Sequence, residues 1–259
     1  MNQEERRRFL IEELLRERLS CRRQEIPADT DRQKVLLRSL MNVRHPGAIS
    51  QRFLEVQDAY LQGELAAKKI TRLSELSPLQ NGIYLWRGDI TTLDCGAIVN
   101  AANSGMTGCY QPCHNCIDNC IHTFAGVQLR LKCAEIMEQQ GYEEPTGQAK
   151  ITPAYNLPCD YVIHTVGPIV RGELTRQHCE LLKSCYRSCL ELADENNVGS
   201  IAFCCISTGI FMFPNDRAAE IAVQTVQEYK AETGSKIEVV FNVFKEQDER
   251  LYRKLLSAD

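Results

Sequence analysis

Hydrophobic and polar positions follow two textures along the chain. Over roughly the first seventy residues, apolar side chains recur every three or four positions between charges. The stretch "RRRFLIEELLRERL" sets Phe9, Leu10, Leu14 and Leu15 at helical spacing. A second helix is expected from Asp31 to Asn42, opened by an Asp-Thr-Asp cluster and carrying Val35, Leu36, Leu37, Leu40 and Met41. "RHPG" ends it, and "ISQRFLEVQDAYLQGELAAKK" predicts a third. Residues 1–75 therefore read as a helical extension, and nothing in them points to catalysis.

From about Ile83 the pattern changes to short apolar runs. "GIYLWRGDI", "AIVNAAN", "YVIHTVG", "SIAFCCIS" and "IEVVFNVF" read as buried strands. Helical patterns lie between them, at roughly 117–140, 175–197, 216–232 and 246–256. Strand–helix alternation predicts a three-layer α/β/α sandwich over residues 76–259. Ligands of such folds bind beyond the carboxyl ends of the strands, so chemistry is sought in the segments that follow them.

Composition narrows the function classes. With 44% hydrophobic and 25% charged residues in 259, the chain is ordinarily globular. A net charge of −4 gives no broad basic field, which argues against nucleic acid. Backbone amides can still hold a small anion. No apolar run approaches the ~20 residues of a membrane helix, and the N-terminal stretch lacks the apolar core of a secretory signal. Thirteen cysteines cannot all pair within one chain, so a reducing cytoplasm is expected. The sequence does not fix the oligomeric state, for which a monomer is the first expectation.

Three segments that follow strands carry polar chemistry. In "RGDIT", Asp89 can accept from an exocyclic amine while the next backbone N–H, that of Ile90, faces a base ring. In "AIVNAANSGMTG", Asn100 and Asn103 offer donor and acceptor together, which suits ribose hydroxyls. In "CCISTGIFMFP", Ser207-Thr208-Gly209 opens a run of backbone N–H groups suited to an anion, close to where helical patterning resumes. No GKS, GKT or GxGxxG accompanies it, so neither a Walker loop nor a dinucleotide dehydrogenase is supported.

A fourth segment, "GCYQPCHNCIDNCIH", is dense in soft ligands. Cys109-x4-His114-x-Cys116 supplies three on a loop where Pro112 discourages helix, the number zinc uses when it keeps an open position. Cys113 could replace one of them. Cys120 reads as a packing residue, and His122 as packing or as support beside a ligand. Asp118 falls near a helix start, where a carboxylate also suits the helix dipole.

Taken in order, "GDIT", "IVNAAN", "CIDNCIH…AG", "PTGQAKIT", "YVIHTVGP" and "ISTGIFMFP" closely resemble the macrodomain family of ADP-ribose binders and hydrolases, over roughly residues 80–259. The helical N-terminus with "GCYQPCHNC" looks like its zinc-containing microbial branch of protein-ADP-ribose hydrolases. The resemblance implies a mixed central sheet and assigns roles. Asp89 and the Ile90 amide would take adenine, and Asn103 the distal ribose. Ser207, Thr208, Gly209, Ile210 and Phe211 would wrap the diphosphate. Asn242 and Phe244 would lie at the adenine or its ribose, with strand filling the competing reading for Phe244. Cys109, His114 and Cys116 would hold one Zn2+ per chain, and Asp118 would orient or deprotonate water. The implied activity is zinc-dependent release of ADP-ribose from mono-ADP-ribosylated proteins, first of all from Asp or Glu linkages. A non-catalytic ADP-ribose reader and a hydrolase of small esters such as O-acetyl-ADP-ribose are the alternatives.

Overall fold

The structure, a computed structural model, describes residues 1–18 and 25–257. It opens with α1 (Gln3–Glu17), α2 (Thr30–Val43) and α3 (Gln51–Ala66), each started by a polar cap: Asn2 in a capping box with Glu5, then Asp29, then Ser50. Their apolar stripes meet in a separate core of Leu10, Ile11, Leu14, Leu37, Leu40, Phe53 and Tyr60. One outside residue, Val127, enters it.

Next come β1 (Thr71–Arg72), β2 (Ile83–Arg87), a 3-10 turn over Ile90–Thr92, β3 (Leu93–Asp94) and β4 (Ala97–Ala102). They are followed by α4 (Ile117–Ala125), α5 (Val127–Gln140), β5 (Ala149–Pro153), β6 (Tyr161–Val166) and α6 (Arg176–Glu195). The chain finishes with β7 (Ser200–Phe203), α7 (Asn215–Thr233), β8 (Glu238–Val243) and α8 (Glu246–Leu256). β1 pairs with β3, and the main sheet runs β2-β8-β7-β4-β6-β5, parallel except for β5. α6 packs on α7 and α7 on α8, α4 packs on α5, and α2 docks on α4. The mixed sheet flanked by helices is the architecture expected. Strands covered on both faces explain the unbroken apolar runs: Ile98, Val99, Ile163, Ile201 and Val239 have no exposed surface.

Two expectations are corrected. The single helix over 117–140 is two helices, because Gly126 turns the chain at φ 97° and a Cβ there would meet Gln57 and Gln128 at 2.6 Å. β5 escaped the reading of strands because its side chains are mostly half-exposed and it ends in Pro153, a residue tolerated at a sheet edge.

Among the described residues no helix is long and apolar enough to cross a membrane, and every described cysteine is free.

Candidate functional site: the carboxyl ends of four parallel strands

The strand order decides how the expected contacts lie. β2, β8, β7 and β4 are consecutive neighbours and all parallel. The segments leaving them therefore gather at one end of the sheet in the order Asp89–Ile90, Asn242–Phe244, Ser207–Phe211, Asn103. Three strand spacings separate the first from the last, about 14 Å. An elongated ligand with a base at one end and a sugar at the other would be met in that sequence.

At the β2 end, Asp89 caps the 3-10 turn. Its Oδ1 accepts from Thr91 N (3.0 Å) and Thr91 Oγ1 (2.6 Å), while Oδ2 lies 3.6 Å from the Lys68 ammonium. The side chain is still 45% exposed and able to accept from a ligand. Ile90 buries its side chain, so only its backbone can face one. Asn242 is buried, and its Nδ2 donates to Gly88 O (3.0 Å) and Trp86 O (3.4 Å), which ties β8 to the turn bearing Asp89. Phe244 lies just past β8 and is 79% exposed, so it fills no strand.

The loop after β7 is shaped by its own backbone. Ser207 and Met212 sit at φ 65° and 56°. Phe213 N donates to Ser207 O (3.0 Å), Met212 N to Gly209 O (3.0 Å), and Thr208 N and Oγ1 to Cys205 O (3.4 and 3.0 Å). Val170 N fastens the tip through Phe211 O (2.8 Å). Gly209 and Ile210 are left outermost, Phe211 is half-buried, and α7 begins directly behind at Asn215.

At the β4 end, polar groups converge. Asn103 holds its own turn by accepting from Gly105 N (3.0 Å), and its Nδ2 donates to Gly108 O (3.2 Å) and Asp118 Oδ2 (3.3 Å). Asp118, in the first turn of α4, also accepts from Asn100 Nδ2 (2.8 Å). Burial pushes its carboxyl up to about 6, although Asn100, Arg130 and Asn103 pull the other way. Asp118 can thus exchange a proton near neutral pH.

Beside this pair, the ligand atoms of Cys109, His114 and Cys116 lie within 4.8 Å of one another, with Cys109 Sγ 3.7 Å from His114 Nδ1. Cys116 caps α4, its Sγ accepting from Asn119 N (3.4 Å). Two thiols and an imidazole suit a soft divalent cation such as zinc. Burial pushes the Cys116 thiol up, a penalty that a bound cation would offset. Cys113 points elsewhere: at φ 54°, its Sγ reaches Val35 O on α2 (3.5 Å).

The Macro domain family matches residues 99–222. A protein-ADP-ribose hydrolase of Treponema medium is 64% identical over 261 aligned positions, covering 99% of this chain and all of the relative. One of Staphylococcus aureus (strain MSSA476) is 50% identical over 253, covering 97% and 95%. The chain belongs to the macrodomain family. Solved macrodomains agree in fold. That of Oceanobacillus iheyensis with ADP is 36% identical at TM-score 0.62, over 70% of this chain and 93% of that one. That of Trypanosoma brucei in complex with ADP-ribose is 30% identical at TM-score 0.66, over 84% and 94%.

His164 and Thr152, and the contacts that join them to Asn100 in this macrodomain, were missed in the sequence. Asn100 on β4 is register-paired with His164 on β6, and its Nδ2 lies 3.1 Å from His164 Nδ1. An amide NH2 only donates, so in this Asn100 orientation His164 Nδ1 is the acceptor, and its Nε2 faces Thr152 Oγ1 at 3.0 Å. Burial pushes His164 down to about 3, keeping it neutral. His122, one turn after Asp118, is also buried and pushed down, its Nε2 3.6 Å from Asp118 Oδ1. Its ring lies under Gly108, which has φ 86° and whose Cβ would fall 2.8 Å from that ring. Neither ring nitrogen of His122 nor Asn100 Oδ1 finds a hydrogen-bond partner among the described residues. The signal for His164, as for Asn100, was a polar side chain inside an otherwise apolar strand. Its partner depends on strand register, which no motif carries.

Proposed function

We propose that this macrodomain binds ADP-ribose along the strand ends and hydrolyses the bond between C1″ of the distal ribose and a modified protein side chain, with Asp and Glu esters as the preferred linkage. The carrying observation is the Asn103–Asp118 pair set beside Cys109, His114 and Cys116, at the end of the strand row opposite Asp89, where the distal ribose would lie. The hydrolase names of the Treponema and Staphylococcus relatives support the same reading.

Asp89, the Ile90 amide and Phe244 would take the base, with Asn242 holding the turn beneath it. Ser207 through Phe211 would take the diphosphate on backbone N–H groups. Asn103 would fix the ribose and carry the hydrogen bond to Asp118. Asp118 would accept the proton of the attacking water as its oxygen bonds to C1″, while the acceptor carboxylate leaves with its oxygen. A carboxyl held near 6 by burial is suited to that exchange at neutral pH. Cys109, His114 and Cys116 would hold one zinc ion, which supplies Lewis-acid polarisation of an oxygen or a bound water of lowered pKa.

The test is release of free ADP-ribose from an Asp/Glu-modified protein, before and after zinc chelation and zinc add-back, with O-acetyl-ADP-ribose in parallel. Release lost on chelation and restored by zinc supports the reading. Release that survives verified metal removal assigns the chemistry to Asn103 and Asp118 alone. Tight ADP-ribose binding with no release makes the chain a reader, and faster turnover of the small ester moves the substrate class.

A further inference from the structure

The loop bearing the three soft ligands has little backbone structure of its own; His114 N to Gln111 O (3.3 Å) is one such bond. Side chains from three helices grip it instead. From α2, Arg38 Nη2 donates to His114 O (2.7 Å) and to Asn119 Oδ1 (3.1 Å). Asn119 in turn donates through Nδ2 to Cys109 O (3.2 Å) and Gln111 O (2.9 Å), so one guanidinium steadies the backbone at two ligands. Also from α2, buried Asn42 accepts from Cys113 N (2.9 Å) and donates to Thr123 Oγ1 of α4 (2.8 Å). From α5, Arg130 Nε donates to Thr107 O (2.7 Å), while its Nη1 donates to Met41 O, Asn42 O and Arg44 O (3.0, 2.8 and 2.7 Å). These carbonyls belong to the end of α2, where a cation also meets the negative pole of the helix dipole. The same guanidinium lies 4.4 Å from the centre of the Tyr110 ring, whose other neighbour is His45, stacked at 5.0 Å just beyond α2.

We infer that α2 is the positioning scaffold of the metal loop, with Arg38 and Asn42 holding Cys109, His114 and Cys116 in register for one divalent ion. The helical extension would then serve metal retention, with neither residue touching substrate. A ligand set assembled on an unsupported loop must lose backbone freedom when the ion binds; here α2 and α4 hold that freedom down beforehand. The inference rests on the zinc reading of these three residues.

The test is competition for zinc between the full chain and a chromogenic chelator. Arg38→Ala and Asn42→Ala are expected to weaken zinc binding about 10- to 100-fold, as loss of partners that orient metal ligands does. ADP-ribose affinity by calorimetry should change less than about threefold. Lys34→Ala, which removes a surface ion pair of the same helix with Glu64, should leave zinc affinity at the wild-type value. Arg38→Lys keeps one donor and should fall between, and it gives the readout if Arg38→Ala fails to fold. Variants that melt like the wild type yet hold zinc equally tightly overturn the scaffold role. A wild-type chain that binds no zinc overturns the metal reading, and this inference with it.

Discussion

The loops after β7 and β4 leave neighbouring strands at the same end of the sheet, yet they are shaped by different means. The β7 loop closes mostly on its own backbone, with Ser207, Thr208, Met212 and Phe213 bonding within a few residues and a single backbone bond from outside, Val170 N to Phe211 O. The β4 loop depends on Arg38, Asn42, Asn119 and Arg130, from helices on either side of it in the sequence. A segment that must offer backbone N–H groups to an anion can be local. One that must bring two thiols, an imidazole and a carboxylate together needs supports from elsewhere, because such side chains repel or lose solvation when crowded.

The sharpest way to break this comparison is to ask whether the β4 side performs chemistry or only binds. Asp118→Ala is expected to lower kcat/KM for ADP-ribose release by at least about 100-fold while ADP-ribose affinity stays within about threefold. A variant that loses affinity instead would make both loops binding elements of one kind.

Acid should also distinguish the two. β4 itself is joined through Asn100 to neutral His164 on β6, whose pKa falls from 6.5 to about 3 on burial. Below pH 6.5 the unfolded chain takes up a proton that the folded chain refuses, so stability falls as pH drops from about 6.5 towards 3. One such group contributes a loss of about 2 kcal/mol by pH 5; buried His122 acts in the same direction, and Asp118, raised to about 6, in the opposite one. Urea unfolding of His164→Gln at pH 7 and 5 should show a loss smaller by about that amount. The β7 loop has no acid, base or histidine over residues 204–214.

A smaller effect tests the β7 loop itself. A Cβ at Gly209 would meet nothing within 4 Å. Gly209→Val should therefore leave the melting temperature within about 2 °C while weakening ADP-ribose about tenfold, roughly 1.4 kcal/mol. A destabilised variant would show that the loop is not self-sufficient. Phe244→Ala should cost least, about fivefold in ADP-ribose affinity, near the lower limit for a base stacked on an aromatic ring.

The two loops also differ in how far they can be read from residues alone. The five buried strands β2, β4, β6, β7 and β8 and their order of motifs were legible because burial on both faces writes itself as apolar runs. The β7 loop was legible as a candidate anion site because its backbone chemistry is local to "ISTGIFMFP". At the β4 end the ligand types were visible, and so was Asp118. Their supports were not: Arg38 and Asn42 look like ordinary polar positions on an amphipathic helix, and 76 residues separate Arg38 from His114. Asn100, His164 and Thr152 meet only through the register of β4, β6 and β5. The turn at Gly126 was lost inside a pattern that continues helically on both sides of it.

That separation of Arg38 from His114 sets a clock on the ribosome. At about 5–20 residues per second, α2 leaves the exit some 4–15 s before His114 follows. β6 and β7, which flank β4 in the sheet, are still later in the chain. The three helices can gather around their own core during that wait, whereas the grip on the loop also needs Asn119 of α4 and Arg130 of α5, which follow it in the chain. The loop over residues 108–116 is therefore gripped only once α5 has followed it out, long after α1, α2 and α3 have become available to one another.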